Sequence, residues 1–176
     1  MRSPRRKMDL LEVRYMPDPW KVLVSCVLLN RTRKAQVCGV IDELFGEYPS
    51  AERMARGKVD RIARIIGSLG LQNQRARSLK RLSLQVFEEG LGPANVSDLY
   101  GVGQYAVDAY MILFEDRRGF RPDDYALRNF LRYESERFER CPECVNELNN
   151  GPSCAICGWE EADFYEERRI LCRRDT

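Results

Sequence analysis

Apolar positions recur along the chain at intervals of three and four, which predicts helices joined by short turns and no strand of alternating character. Trp20, Leu23, Val24, Val27 and Leu28 form the first stripe, opened by Asp18-Pro19. There a carboxylate caps the helix, and proline takes the first turn, where its missing N–H costs nothing. A second helix carries Val37, Val40, Ile41, Leu44 and Phe45, and Pro49-Ser50 opens a short third. Ile62, Ile65, Ile66 and Leu69 predict a fourth, closed by Gly70. The fifth runs from about Gln72 to Glu89, with Ala76, Leu79, Val86 and Phe87 inward and Arg75, Arg77, Lys80 and Arg81 mostly outward as a solvated face, until Gly90 and Gly92-Pro93 end it. Two more helices follow, one with Val107, Tyr110, Met111 and Phe114, and one after Arg121-Pro122-Asp123-Asp124 with Tyr125, Leu127, Phe130 and Leu131. From Cys141 the composition turns to Cys, Gly, Pro, Asn and Glu. The expected organisation is an all-α domain over residues 1–140, its first ten residues basic and flexible, followed by a cysteine-rich extension over 141–176.

Charge changes this picture more than composition does. The net charge of +2 is the sum of unequal halves: residues 1–81 carry 18 basic and 8 acidic side chains, residues 82–176 carry 11 basic and 19 acidic. A basic half suits a polyanion, although arginine preference on its own is also what a G+C-rich genome produces. The chain has no histidine, which removes imidazole acids and bases, Ser-His-Asp and Cys-His nucleophiles and His-ligated metals. Acid-base chemistry falls to carboxylates, Tyr, Lys or Cys. No run of 18 apolar residues exists, and the basic start lacks the apolar stretch of a signal peptide, so a cytoplasmic, nucleoid-associated monomer with no membrane contact is expected.

The segment Leu99-Tyr100-Gly101-Val102-Gly103 lies between two predicted helices. A Gly-x-Gly turn there bares backbone N–H groups at a helix N-terminus, where the dipole favours a phosphate; it is also a plain tight turn. With Asp18-Pro19-Trp20-Lys21 through Leu29-Asn30-Arg31-Thr32, Tyr48-Pro49-Ser50-Ala51-Glu52, Leu69-Gly70-Leu71 followed by Arg75-Ala76, Gly101-Val102-Gly103-Gln104-Tyr105 and Pro122-Asp123-Asp124, the chain from about Asp18 to Phe138 resembles the helix-hairpin-helix DNA glycosylase superfamily. Within it the likeness is to the thymine/uracil mismatch glycosylases, notably the methyl-CpG-binding mismatch glycosylase catalytic domain.

The resemblance implies an all-α helix-hairpin-helix fold and assigns roles residue by residue. Asp124 falls where the family keeps its catalytic carboxylate, which suits a reaction that builds positive charge on a sugar; the competing reading is a helix cap after Pro122. Tyr105 stands where bifunctional members carry the lysine that forms a Schiff base, and no lysine occurs beyond Lys80, so the resemblance implies a monofunctional enzyme using water. It also places Tyr105 beside the flipped base and Glu12 where relatives hold a base-reading residue. Arg31 is implied to plug the vacated stack and Leu71 to wedge from the other side, against readings as a surface cation and a contact after Gly70. Gly101, Val102, Gly103 and Tyr105 would hold phosphates by their N–H groups, with a monovalent cation on the hairpin carbonyls in some members, and Arg33, Lys34, Arg75 and Arg77 lining the same groove.

The tail departs from that pattern. Cys141-Pro142-Glu143-Cys144 and Cys154-Ala155-Ile156-Cys157 are two C-x-x-C knuckles whose four thiolates suit tetrahedral zinc. An iron–sulfur cluster is the alternative, since several superfamily members end in one, but with a spacing this tail lacks. Cys172 is a distant substitute ligand, and Cys26 and Cys38 read as packed thiols. The expected function is excision of a mispaired or modified pyrimidine, thymine or uracil or a 5-substituted uracil opposite guanine, from double-stranded DNA to leave an abasic site. The alternatives are an adenine or modified-base glycosylase in a restriction or DNA-modification pathway, and a non-catalytic DNA-binding module.

Overall fold

The computed structural model describes residues 10–115 and 121–137, with side chains through Leu131. Every regular element among them is helical: α1 (Pro19–Leu29), α2 (Lys34–Glu47), α3 (Ala51–Arg56), α4 (Val59–Ile65), α5 (Gln72–Glu89), α6 (Gln104–Phe114) and α7 (Tyr125–Arg137), with 3-10 turns at Glu12–Tyr15, Gly67–Leu69 and Val96–Asp98. The chain divides into two compact units, one formed by Tyr15–Phe120 and one by Met1–Arg14 with Arg121–Thr176.

In the larger unit α1 is the central element. Val22, Leu23, Val24 and Leu28 are fully buried on different sides of it, and it packs against α2, α5 and α6. Its start is the expected one: the Asp18 carboxylate accepts from the backbone N–H of Lys21 at 3.1 Å. Trp20 reaches α5, where its indole N–H donates to the Ser83 hydroxyl at 3.0 Å, and Ser83 in turn donates to the Leu79 carbonyl. On the α2 side, Tyr15 and Trp20 pack their rings against Phe45. α5 also packs against α3 and α4. Lys80 of α5 donates to the Gly57 carbonyl at 2.7 Å, in the turn between them.

Two expectations change. The Ile62–Leu69 stripe is not one helix: α4 ends at Ile65 and a 3-10 turn carries Gly67–Leu69. Gly67 is a poor helix residue, and the tighter turn keeps its i, i+3 spacing on one face, so Ile66 and Leu69 remain buried despite the break. On α5 the buried stripe is Ala76, Leu79, Leu82 and Ser83, while Phe87 is 47% exposed under the Arg56 guanidinium and Val86 is only half-buried. Cys26 is buried as expected, and Cys38 is half-buried.

In the smaller unit, Leu10, Leu11, Leu127 and Phe130 are buried. α7 opens on Asp124 and places Leu127 and Phe130 inward three residues apart, leaving Tyr125 exposed.

Replacing Ser83 with alanine strands the buried Trp20 N–H. An unsatisfied buried donor costs about 1–3 kcal/mol, so urea unfolding of Ser83→Ala is expected to show a lower midpoint with an unchanged slope.

Candidate nucleic-acid interface

The hairpin lies between α5 and α6. Leu99 is the buried anchor, and the Val102 N–H closes a turn on its carbonyl at 3.2 Å. Gly101 has φ +80, the left-handed region that excludes a side chain without strain. Gly103 caps α6, its carbonyl accepting from Ala106 and Val107, and a Cβ built on it meets nothing within 4 Å. Gly101 and Gly103 are both exposed. A helix start leaves its first N–H groups without intrahelical partners, and here the ground in front of them is open. Tyr105, in the first turn of α6, is half-buried.

Three hairpin contacts gave no recognised signal in the sequence. The Tyr100 N–H donates to the Gln85 side chain at 2.7 Å, the Arg81 guanidinium stacks 4.2 Å from the Tyr100 ring, and Gln104 donates to the buried Asp108 carboxylate at 2.7 Å. The Gln104–Asp108 pair has the i, i+4 spacing that brings such side chains together on a helix, so it was findable in principle. The other two join α5 to the hairpin over 15 residues or more in sequence and have no local signature.

Two exposed tips occupy the same unit. Arg31 follows α1 with φ +56, and Leu71 precedes α5 with φ +49 and 67% exposure; among the described residues these are the two non-glycine positions with positive φ. Such a backbone costs about 1–2 kcal/mol per residue for a side chain bearing a Cβ. Arg75 joins the two turns. Its Nε donates to the Gly70 carbonyl at 3.2 Å, one terminal nitrogen to Val27 and Leu28, and the other to the Asn30 carbonyl at 2.9 Å and the Thr32 hydroxyl at 2.7 Å. Five contacts match the five N–H groups that a guanidinium carries. Arg75 is therefore not the outward groove cation that the sequence suggested. Its helical position faces the end of α1, where unbonded carbonyls need a donor and the helix supplies no cation of its own. Partial burial lowers its pKa from the usual arginine value. Arg33 and Arg77 are exposed, and Lys34 is half-buried.

In the smaller unit, Asp124 is half-buried and its Oδ1 accepts from the backbone N–H groups of Ala126 at 2.7 Å and Leu127 at 3.0 Å. It is thus a helix cap, the plainer of the two readings, and the cap fixes the carboxylate through one oxygen. Arg128 braces the approach by donating to the Pro122 carbonyl at 3.3 Å and to that of Asp123. Glu12 lies in the same unit, 1% exposed, at the start of the Glu12–Tyr15 turn. The knuckle cysteines Cys141, Cys144, Cys154 and Cys157, and Cys172, lie outside the described residues. Among the described residues no cluster of Cys, Asp and Glu could hold a metal.

Helices joined through a glycine-bearing turn that bares the start of the next helix define, over the described residues, a helical helix-hairpin-helix protein. Residues 24–142 match the HhH-GPD superfamily base excision DNA repair proteins, and the chain belongs to that family. It is 40% identical over 139 residues to the methyl-CpG-binding domain protein 4-like protein of Arabidopsis thaliana, covering 77% of this chain and 30% of that protein. It is 33% identical over 131 residues to the thymine/uracil-DNA glycosylase of Methanothermobacter thermautotrophicus, covering 72% of this chain and 59% of that one. The fold superposes on a thermostable thymine-DNA glycosylase with a TM-score of 0.56 and 34% identity, over 65% of this chain and 54% of that one. The chain thus spans less than two thirds of the length of each of these relatives.

A Gly103→Val substitution tests the hairpin. A Cβ at Gly103 meets nothing within 4 Å and its backbone is extended, so stability is expected to hold while a branched side chain is added at the start of α6. Duplex DNA affinity is expected to fall, with the salt-dependence slope dropping by about one phosphate contact in a fluorescence anisotropy titration.

Proposed function

We propose that the chain is a monofunctional DNA glycosylase that removes thymine, uracil or a 5-substituted uracil paired with guanine in double-stranded DNA. Family membership and the names of the two glycosylase relatives support the reaction class. The observation that carries the mechanism is Asp124, held at the mouth of α7 by two backbone N–H groups on a single oxygen. Breaking the N-glycosidic bond sends its electron pair to the departing base and leaves positive charge on the sugar. A fixed carboxylate stabilises that charge without reorganising, and it accepts a proton from the water whose oxygen bonds to the sugar carbon. That proton then passes through solvent to the departing base, so that the products are the neutral base and an abasic site and Asp124 is ionised again.

The position after Gly101-Val102-Gly103-Gln104 supports the absence of strand cleavage. Tyr105 cannot form the imine that an amine forms, and no lysine follows Lys80. The hairpin N–H groups hold the phosphate backbone, Arg31 and Leu71 occupy the space of the extruded nucleotide, and Glu12 and Tyr105 contact the base. A monovalent cation on the hairpin carbonyls belongs to the same proposal.

Single-turnover excision from uracil:guanine and thymine:guanine duplexes is expected to fall by about 10²-fold or more in Asp124→Asn, with duplex affinity retained. Retained activity in that variant overturns the assignment of Asp124. Binding with no alkali-labile product from the parent chain on any pyrimidine target identifies a DNA-binding module instead. Borohydride added during turnover is expected to trap no protein–DNA adduct.

The four thiolates of Cys141, Cys144, Cys154 and Cys157 form a donor set suited to zinc, which would hold the C-terminal extension as a structural staple. Elemental analysis of the purified protein is expected to find one zinc per chain and no iron. Serine at Cys144 or Cys154 should release the zinc.

A further inference from the structure

The two tips proposed to enter the duplex come from turns about 40 residues apart in sequence, and both carry a backbone conformation that their side chains oppose. A turn with that strain relaxes unless its surroundings over-determine it. What the turns share is Arg75. One terminal nitrogen bonds the carbonyl immediately before Arg31 and the hydroxyl immediately after it, and Nε bonds the carbonyl immediately before Leu71. The other terminal nitrogen anchors the same guanidinium to Val27 and Leu28 at the end of the buried α1. A planar, rigid fork therefore sets the separation of the two tips and references both to the core.

We propose that Arg75 is a positioning residue that holds the Arg31 and Leu71 tips in register, so that the two enter the duplex as one unit when a nucleotide is turned out. The inference rests on the reading of Arg31 and Leu71 as insertion residues. A guanidinium with all five N–H groups engaged has none left for a phosphate, so Arg75 contributes to extruding the nucleotide and not to affinity. Lysine at this position keeps the charge but loses the fork, and its ammonium cannot span both turns in one plane.

The experiment compares Arg75→Lys and Thr32→Val with the parent chain on two duplexes bearing the same uracil:guanine target. One is fully paired in its flanks; the other holds the target in a small unpaired bubble where stacking is already lost. Excision from the paired duplex is expected to fall about ten- to a hundredfold in Arg75→Lys and less in Thr32→Val, which removes a single bond. Excision from the bubble and the salt slope of duplex binding are expected to match the parent. Amide exchange supplies a readout free of activity: the N–H of residue 32, bonded to the Leu29 carbonyl, and the N–H of residue 75, bonded to the Leu71 carbonyl, should exchange faster together in Arg75→Lys. Equal losses on both duplexes, an unchanged ratio between them, a salt slope lower by about one phosphate, or faster exchange in one turn alone would each overturn the proposal. If Arg75→Lys fails to fold, the duplex-to-bubble ratio of Thr32→Val decides. Arg31→Ala and Leu71→Ala separate this inference from its premise. Paired-duplex excision indifferent to both sinks the insertion reading; excision sensitive to both but indifferent to Arg75→Lys sinks the positioning role alone.

Discussion

A helix at the centre of a packed unit has to find donors for its last carbonyls, and α1 is such a helix, with most of its side chains buried and its end only partly open to water. It packs against α2, α5 and α6, and its final turn contains no cation that could fold back on its own C-terminus. The donor comes from another element: the Arg75 side chain crosses from α5 and bonds the carbonyls of Val27, Leu28 and Asn30. Hydrogen bonds to a charged group contribute about 1.5–3 kcal/mol each, less where water competes, whereas each strained turn residue costs about 1–2 kcal/mol. The same side chain can therefore close the central helix and still hold two unfavourable turns. The side chain that caps the core thus also braces the two turns that carry the exposed tips.

The smaller unit repeats the device. Arg75 is the fourth residue of α5 and bonds the carbonyl five residues back, in the turn before its own helix; Arg128 is the fourth residue of α7 and does the same to Asp123. In each case an arginine one turn into a helix braces the loop that delivers a proposed site residue, Leu71 or Asp124, at that helix's start. Long side chains on helices lean toward the N-terminus, which makes this reach natural. Capping and function then stop being competing readings of Asp124. A carboxylate bonded through Oδ1 to two backbone N–H groups is held in one orientation, as a group that must meet a transient charge needs to be.

Helix boundaries were legible where a local rule sets them. Asp18-Pro19 before α1, Ser50 before α3, and the end of α5 at Gly90 follow from capping chemistry and from glycine, whereas α5 starts on Leu71 with no side-chain cap. The Gly-Val-Gly hairpin was legible for the same reason, since glycines two and four residues after a buried leucine say where the backbone turns and where it is bare. Side-chain direction on α5 was not. A hydrophobic pattern ranks residues by polarity and so places Phe87 inside and Arg75 outside; Phe87 instead lies half in solvent beneath the Arg56 guanidinium, and the carbonyls ending α1 draw Arg75 inward. The partners of Arg75 on α1 and in the following turn lie 43 to 48 residues away in sequence, so no window on the chain contains both ends of the interaction.

The glycines and the two strained residues answer each other. Gly70 and Gly101 hold positive φ with the one residue that does so freely, but Arg31 and Leu71 hold it with side chains attached. For stability alone glycine would serve better at both, because the left-handed backbone penalises a Cβ by about 1–2 kcal/mol. Neither side chain recovers that cost by burial, since both are exposed. At the hairpin the chain omits side chains where a phosphate would approach the backbone. At the tips it keeps a long cation and a bulky apolar group where the backbone resists them and where both stand exposed among the described residues. Bare backbone and strained, exposed side chains are opposite departures from a chain optimised only to fold. Both have a physical rationale on a surface that grips one part of a polymer and displaces another.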